Sequence, residues 1–217
     1  MNVLHVCADP KPTEESASKQ LAVAFFRSLV EKNPDANITN VDLYENPPPY
    51  LNYEAIRGFW YPVFIEGHHP TDHEQAAGAY GVEQGKLFNA SDVIVLTIPM
   101  WNFSVPAVLK AWMDQVLSPS VTYTMDASGT VPLHHVKKLI LLVSSGDVFK
   151  EGDERDALTP VVEHAFAEAG VRDLSIAWAD GQYTFRYTDA EERKQMALEA
   201  AEELAEEVLD ELTETAG

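Results

Sequence analysis

Short apolar runs alternate with helical periodicity along most of the chain. Residues 2–7 read Asn-Val-Leu-His-Val-Cys, a short buried strand. A polar, proline-containing loop follows over 8–15. Apolar residues at Leu21, Ala22, Phe25, Phe26, Leu29 and Val30 then recur at helical spacing. Asn33-Pro34 stops that helix, because the residue before a proline is pushed out of the α region. Residues 38–43 alternate apolar and polar as a second strand, which completes a βαβ unit and favours a parallel sheet. Residues 93–98 and 139–143 are continuous apolar runs, the pattern of central strands buried on both sides. Between them Leu109, Trp112, Met113 and Val116 share one face of a helix over 105–116. A helix over 158–169 ends at Gly170, which predicts a left-handed cap. Residues 174–177 supply a fifth strand and 189–214 a long final helix. The expected architecture is α/β: a doubly wound, five-stranded parallel sheet with helices on both faces, in one domain over 1–217.

One stretch resists this scheme, an aromatic insertion around 44–70. Tyr44-Glu-Asn-Pro-Pro-Pro-Tyr50 reads as an extended loop, and Arg57-Gly-Phe-Trp-Tyr-Pro-Val-Phe-Ile65 is densely aromatic. We expect irregular backbone here, serving either as a pocket wall or subunit contact, or as a satellite core beneath a loop. Residues 71–89 read as the helix leading into the third strand.

Charge narrows the function. The 217 residues carry 35 Asp+Glu against 15 Lys+Arg, a formal net charge of -20. Such a surface repels nucleic-acid phosphates and anionic membranes alike. The final helix alone holds 11 acidic and 2 basic residues, the composition of a solvated outer face. Apolar residues still make up 46%, enough for a sizeable core. Cys7 stands alone, so neither an internal disulfide nor a cysteine-anchored zinc site is expected. No apolar run approaches the ~18 residues of a membrane span, and no basic-then-apolar leader opens the chain. The expected location is the cytoplasm. His68, His69 and His73 cluster beside Asp72, but His73-Glu74 does not continue to a second metal-binding histidine, and no metal is expected.

In an open α/β sheet, ligands bind beyond the carboxyl ends of the strands. Three loops there carry chemistry. The first has no Gly-x-Gly-x-x-Gly, and no P-loop occurs anywhere, which excludes both nucleotide-binding signatures. It offers Ser16 and Ser18 at a helix start, where hydroxyls and free amides either hold a phosphate or simply cap the helix. The second, Pro99-Met-Trp-Asn-Phe103, presents backbone amides for the edge of a flat ring and Trp101 for its face. The third, Ser144-Ser-Gly-Asp147, combines hydroxyls with a glycine that permits close approach. Ser144-Ser145-Gly146 is not a Gly-x-Ser-x-Gly elbow, which argues against a hydrolase.

These stretches resemble the flavodoxin-like FMN-dependent NADH:quinone oxidoreductases and azoreductases. The likeness runs through Ser16-Ala-Ser-Lys-Gln-Leu21, Asp92-Val-Ile-Val-Leu-Thr-Ile-Pro-Met-Trp-Asn-Phe103, Leu109-Lys-Ala-Trp-Met-Asp114 and Val121-Thr-Tyr123. It continues through 138–146, Lys150-Glu-Gly152 and Thr159-Pro160. The resemblance implies a homodimer with FMN at each subunit boundary and hydride transfer from NADH or NADPH, through FMN, to a quinone or azo compound. It assigns the FMN phosphate to Ser16, Ala17 and Ser18. The isoalloxazine falls to Met100, Trp101, Asn102 and Phe103, with Ser144, Ser145, Gly146 and Asp147 on its other side. The flavin carries the redox chemistry, so no catalytic acid or base is implied.

Four positions depart from the family pattern. Asp9 stands where the family usually has Ser near the phosphate, a repulsive neighbour for an anion unless it turns outward. Asp147 replaces a loop glycine. Met125 and Glu168 replace aromatic residues on the substrate side. Two other readings share the fold: a flavodoxin-type electron carrier, and a flavin-free interaction module.

Overall fold

The structure is a computed structural model that describes residues 1–150 and 152–214; Glu151, within Lys150-Glu-Gly152, lies outside the described residues. In chain order the strands are β1 (Asn2–Cys7), β2 (Asn37–Asp42), β3 (Val93–Pro99), β4 (Tyr123–Asp126), β5 (Gly129–Pro132), β6 (Lys138–Ser144) and β7 (Leu174–Ala179). The helices are α1 (Ala17–Lys32), α2 (Tyr53–Phe64), α3 (Asp72–Asn89), α4 (Ala107–Val116), α5 (Thr159–Ala169) and α6 (Ala190–Glu214). Five strands form a parallel sheet in the order β2-β1-β3-β6-β7. Among the described residues, no helix is long and apolar enough to cross a membrane.

Period-two alternation divides the central strands between two cores. Leu4, Val6, Ile94, Leu96, Ile98, Leu139, Leu141 and Val143 pack with Leu109 and Trp112 of α4 and with Val162 and Phe166 of α5. Val3, Val93, Val95, Ile140 and Leu142 face the other way, onto Leu21, Phe25 and Leu29 of α1 and Ala201, Ala205 and Val208 of α6. Each fully buried Leu, Ile or Phe stabilises by roughly 1.5–3 kcal/mol relative to exposure. That is why the runs that form β3 and β6 are almost continuously apolar. On α6 the buried stripe is mostly alanine, which brings it close to α1. Arg27 pairs with Glu202 across that contact, and Lys32 with Glu206 at 2.7 Å. Glu199, Glu203, Glu207 and Asp210 remain exposed, as a solvated acidic face requires.

The aromatic stretch 57–65 corrects the sequence reading: almost all of it is helix α2, not irregular backbone. Asn52 caps the helix by accepting the Ala55 N–H at 2.9 Å. Phe59 is then buried against α3, where β-carbons at Gly78 and Gly81 would come within 2.7 and 2.9 Å of its ring. That glycine-lined seat outweighs Pro62, whose missing N–H weakens only the final turn. Ala55, Phe59 and Val121 make a satellite core, backed by Leu51, Trp60 and Ala77, while Phe64 and Ile65 stay exposed. The β4–β5 hairpin was also not anticipated; its strands are too short to show a period. Gly170 does cap α5 in the left-handed region, at φ 105°.

β2 and β3 lie on opposite sides of β1. The strand order therefore reverses at β1/β3, which opens a crevice between the loops that leave those strands.

Candidate functional site

The loop leaving β1 folds back on itself. Ser16 caps α1, its Oγ accepting the Lys19 N–H at 3.1 Å. The same hydroxyl donates to Asp9 Oδ2 at 2.6 Å, and the Ser18 hydroxyl donates to that oxygen at 3.1 Å. The Lys11 amide donates to Asp9 Oδ1 at 3.0 Å, and its ammonium lies 3.7 Å from Oδ2. Asp9 is fully buried, as are Ser16 and Ser18. The acid therefore turns inward, and both serine hydroxyls serve the chain's own carboxylate. Charge-assisted bonds of this kind, at a helix N-terminus, hold a buried anion firmly.

The loop leaving β3 is a tight reversal. Trp101 and Ser104 exchange N–H···O bonds of 3.0 Å in both directions. Between them Asn102 and Phe103 sit at φ 49° and 67°, the pattern of a primed type I turn. Asn tolerates this region; Phe does so at a cost of roughly 1–2 kcal/mol. Hydrogen bonds to Ala157 hold the turn down: its N–H donates to Phe103 O at 2.9 Å, and its carbonyl accepts from Ser104 Oγ at 3.1 Å. The outcome is an indole 40% exposed and a phenyl ring 50% exposed at the mouth of the crevice.

The loop leaving β6 is laced to its neighbours. The Met100 N–H donates to Ser144 O at 2.7 Å, joining the second and third loops. Ser145 Oγ accepts from Trp178 Nε1 and donates to Asp147 O, each at 2.9 Å, so it is a brace and not a nucleophile. The Asp147 carboxylate accepts from Arg186 at 2.6 Å and from the Tyr187 hydroxyl at 3.1 Å, which neutralises the added charge.

A fourth segment, 180–187 after β7, was not foreseen. Gly181, Gln182 and Tyr183 donate backbone bonds of 3.0 Å to Asp147, Ser145 and Gly146. Tyr183 thereby lies over Gly146 and closes one side of the crevice. Its position at the carboxyl edge of a fifth strand was the available signal.

These segments enclose a cavity of about 340 Å³, walled by Ala17, Met100, Trp101, Ser144, Gly146 and Tyr183, with Lys11, Glu14, Glu15 and Lys194 as its charged lining residues. Met100, Ser145, Gly146 and Tyr183 also wall an adjoining space of about 140 Å³ that reaches Asn102, Phe103 and Asp147. The structure thus brings together the predicted residues of all three loops, though of the serine pair only the intervening Ala17 reaches the cavity wall. Met125 and Glu168 lie elsewhere. Met125 pairs with Thr130 across the hairpin, and Thr130 donates to Glu168 at 2.7 Å. Neither lines the cavity.

The aromatic half of the cavity, with its exposed turn, suits a flat heterocycle. The anion end suits a phosphate less well, because the serine hydroxyls already face Asp9.

A sequence family described as flavodoxin-like fold matches residues 1–205. FMN-dependent NADH:quinone oxidoreductase 2 of Hahella chejuensis is 32% identical over 186 residues, 84% of this chain and 90% of that protein. FMN-dependent NADH:quinone oxidoreductase 1 of Bacillus licheniformis is 36% identical over 150 residues, 69% of this chain and 71% of its own length. The crystal structure of the azoreductase AzrA superposes with a TM-score of 0.84 at 28% identity, covering 94% of this chain and 99% of that one. With its strand order and switch-point crevice in agreement, the chain belongs to the flavodoxin-like family that includes the FMN-dependent NADH:quinone oxidoreductases.

Proposed function

We propose that this protein is an FMN-dependent oxidoreductase passing a hydride from NADH or NADPH, by way of FMN, to a quinone or azo acceptor. The observation that carries this reading is the meeting of the strained Trp101–Ser104 turn with Gly146 and Tyr183 in one cavity that runs on to the β1 loop at the switch point. FMN, when bound, would supply the two-electron chemistry. The chain's own residues then have three tasks. Trp101 and Tyr183 cover apolar faces and exclude water. The turn at Asn102 and Phe103 offers amides to a ring edge. Ser144 to Asp147, braced by Trp178 and Arg186, keep the opposite wall rigid.

The homodimer follows from the family resemblance, and the neighbouring exposed Phe64 and Ile65 at the end of α2 are apolar side chains that such a contact would cover. The free, buried Cys7 and the acidic surface are compatible with a cytoplasmic enzyme that binds neither nucleic acid nor membrane.

The test is steady-state NADH oxidation by the purified, FMN-reconstituted protein with a soluble quinone and no added reductase. Sustained turnover supports the reading. Bound flavin without turnover points to an electron carrier, and failure to bind flavin removes the reading altogether.

A further inference from the structure

We propose that the Asp9 carboxylate takes up the serine hydroxyls at the start of α1, so that this protein holds its flavin mainly by the ring system and gains little from the phosphate. The inference rests on the flavin reading above and concerns which part of the cofactor the chain recognises.

Three observations carry it. Asp9 is fully buried and directed into the loop, its Oδ2 receiving both the Ser16 and Ser18 hydroxyls at 2.6 and 3.1 Å. A phosphate competing for those donors would have to displace an anion that already satisfies them. The nearby cations are also engaged: Lys11 lies 3.7 Å from Asp9 and donates to the Glu15 carbonyl at 3.4 Å, and Lys194 pairs with Glu191 at 2.9 Å. Finally, Glu14 and Glu15 line the cavity together with Ala17, the first residue of α1. A dianion placed there would face those two carboxylates, with the buried Asp9 behind them and both lining lysines already in ion pairs. Burial makes the repulsion from Asp9 stronger than a surface pair would feel, because solvent and salt screen it poorly.

The ring end carries no such conflict. Trp101, Gly146 and Tyr183 are uncharged, and the Asp147 carboxylate is neutralised by Arg186. Asp9 is therefore a specificity residue, setting how strongly FMN is preferred over its unphosphorylated form, riboflavin.

The test compares FMN and riboflavin by calorimetric or fluorescence titration of the full chain, as wild type, Asp9→Ser and Asp9→Asn. Thermal melting of each protein without flavin checks that it is folded. Asn keeps the shape and accepts a serine hydroxyl through its Oδ1, so it carries the comparison if the Ser variant melts early. The wild type is expected to bind the two flavins with nearly equal affinity. Each folded variant is expected to bind FMN on the order of 10- to 100-fold more tightly, with riboflavin affinity unchanged. A wild type that strongly prefers FMN, or variants with no gain for FMN, would overturn the inference and leave the flavin reading intact. Binding of neither flavin by any of the three proteins would overturn both.

Discussion

The ring of Tyr183 lies over the α-carbon of Gly146, where a β-carbon would overlap its ring atoms. The same tyrosine donates its backbone N–H to the Gly146 carbonyl at 3.0 Å, so a segment from the far end of the sheet is locked onto the third loop. Gly146 is thus required for the height of the ring above it, at a position where no unusual φ is involved. Gly146→Ala should push Tyr183 outward, destabilise the apoprotein by roughly 1–3 kcal/mol and weaken flavin binding. Melting curves and flavin titration of this variant check both effects. Unchanged values for both would mean that Tyr183 moves freely and is no part of the wall.

Trp101 is expected to act on the ligand more than on the fold. Its indole is 40% exposed and meets Tyr44 edge-on, with centroids 6.5 Å apart. Trp101→Ala should weaken flavin retention by roughly 1–3 kcal/mol, about 5- to 150-fold, while the apoprotein melts almost where the wild type does. A large fall in melting temperature with unchanged flavin affinity would make Trp101 a gap-filler between β3 and α4.

The strain at Phe103 predicts opposed effects on stability and binding. At φ 67° a phenylalanine stores roughly 1–2 kcal/mol that glycine would release. Phe103→Gly also removes the contact with Phe149, whose ring centroid lies 6.5 Å away. The apoprotein should therefore gain at most ~1 kcal/mol in urea unfolding, and flavin should bind less tightly because the turn is no longer pre-organised. A loss of stability would show that the Phe149 contact outweighs the strain.

Much of this was legible before the structure. The runs that became β3 and β6 stand out because both faces are buried, and their ends moved by no more than one residue. The three loops followed from the rule that ligands gather at the carboxyl edge of such a sheet. What escaped depends on distant partners. Helix α2 is stabilised by the glycine-lined surface of α3, which its own proline-interrupted sequence does not reveal. Segment 180–187 joins the site through backbone bonds that carry no residue signature. Asp9 was visible as a conflict with a phosphate. That its side chain turns inward is set by the backbone path of the loop between β1 and α1, which spacing alone does not specify.

Acid should reveal the clasp between α2 and α3. The Thr71 backbone amide, and after it the Arg57 guanidinium, hold the Glu74 carboxyl down at about 2, against an ordinary value of 4.5. A depressed carboxylate stabilises the fold fully above its unfolded pKa, and that contribution is lost as pH falls towards the folded one. Stability should thus decline between pH 4.5 and about 2. Glu74→Gln should be less stable at pH 7 and show a flatter decline across that window, measured as urea midpoints. An unaltered slope would show that Glu74 is not the group titrating.

The measurement that bears most directly on the central claim is an anaerobic two-step mixing experiment on the purified, flavin-loaded protein. NADH is added first and a quinone second, while the visible absorbance of the bound flavin is followed. The account predicts bleaching by an equimolar amount of NADH, with full recovery on addition of the quinone. Bound flavin that stays oxidised in the presence of NADH would contradict it.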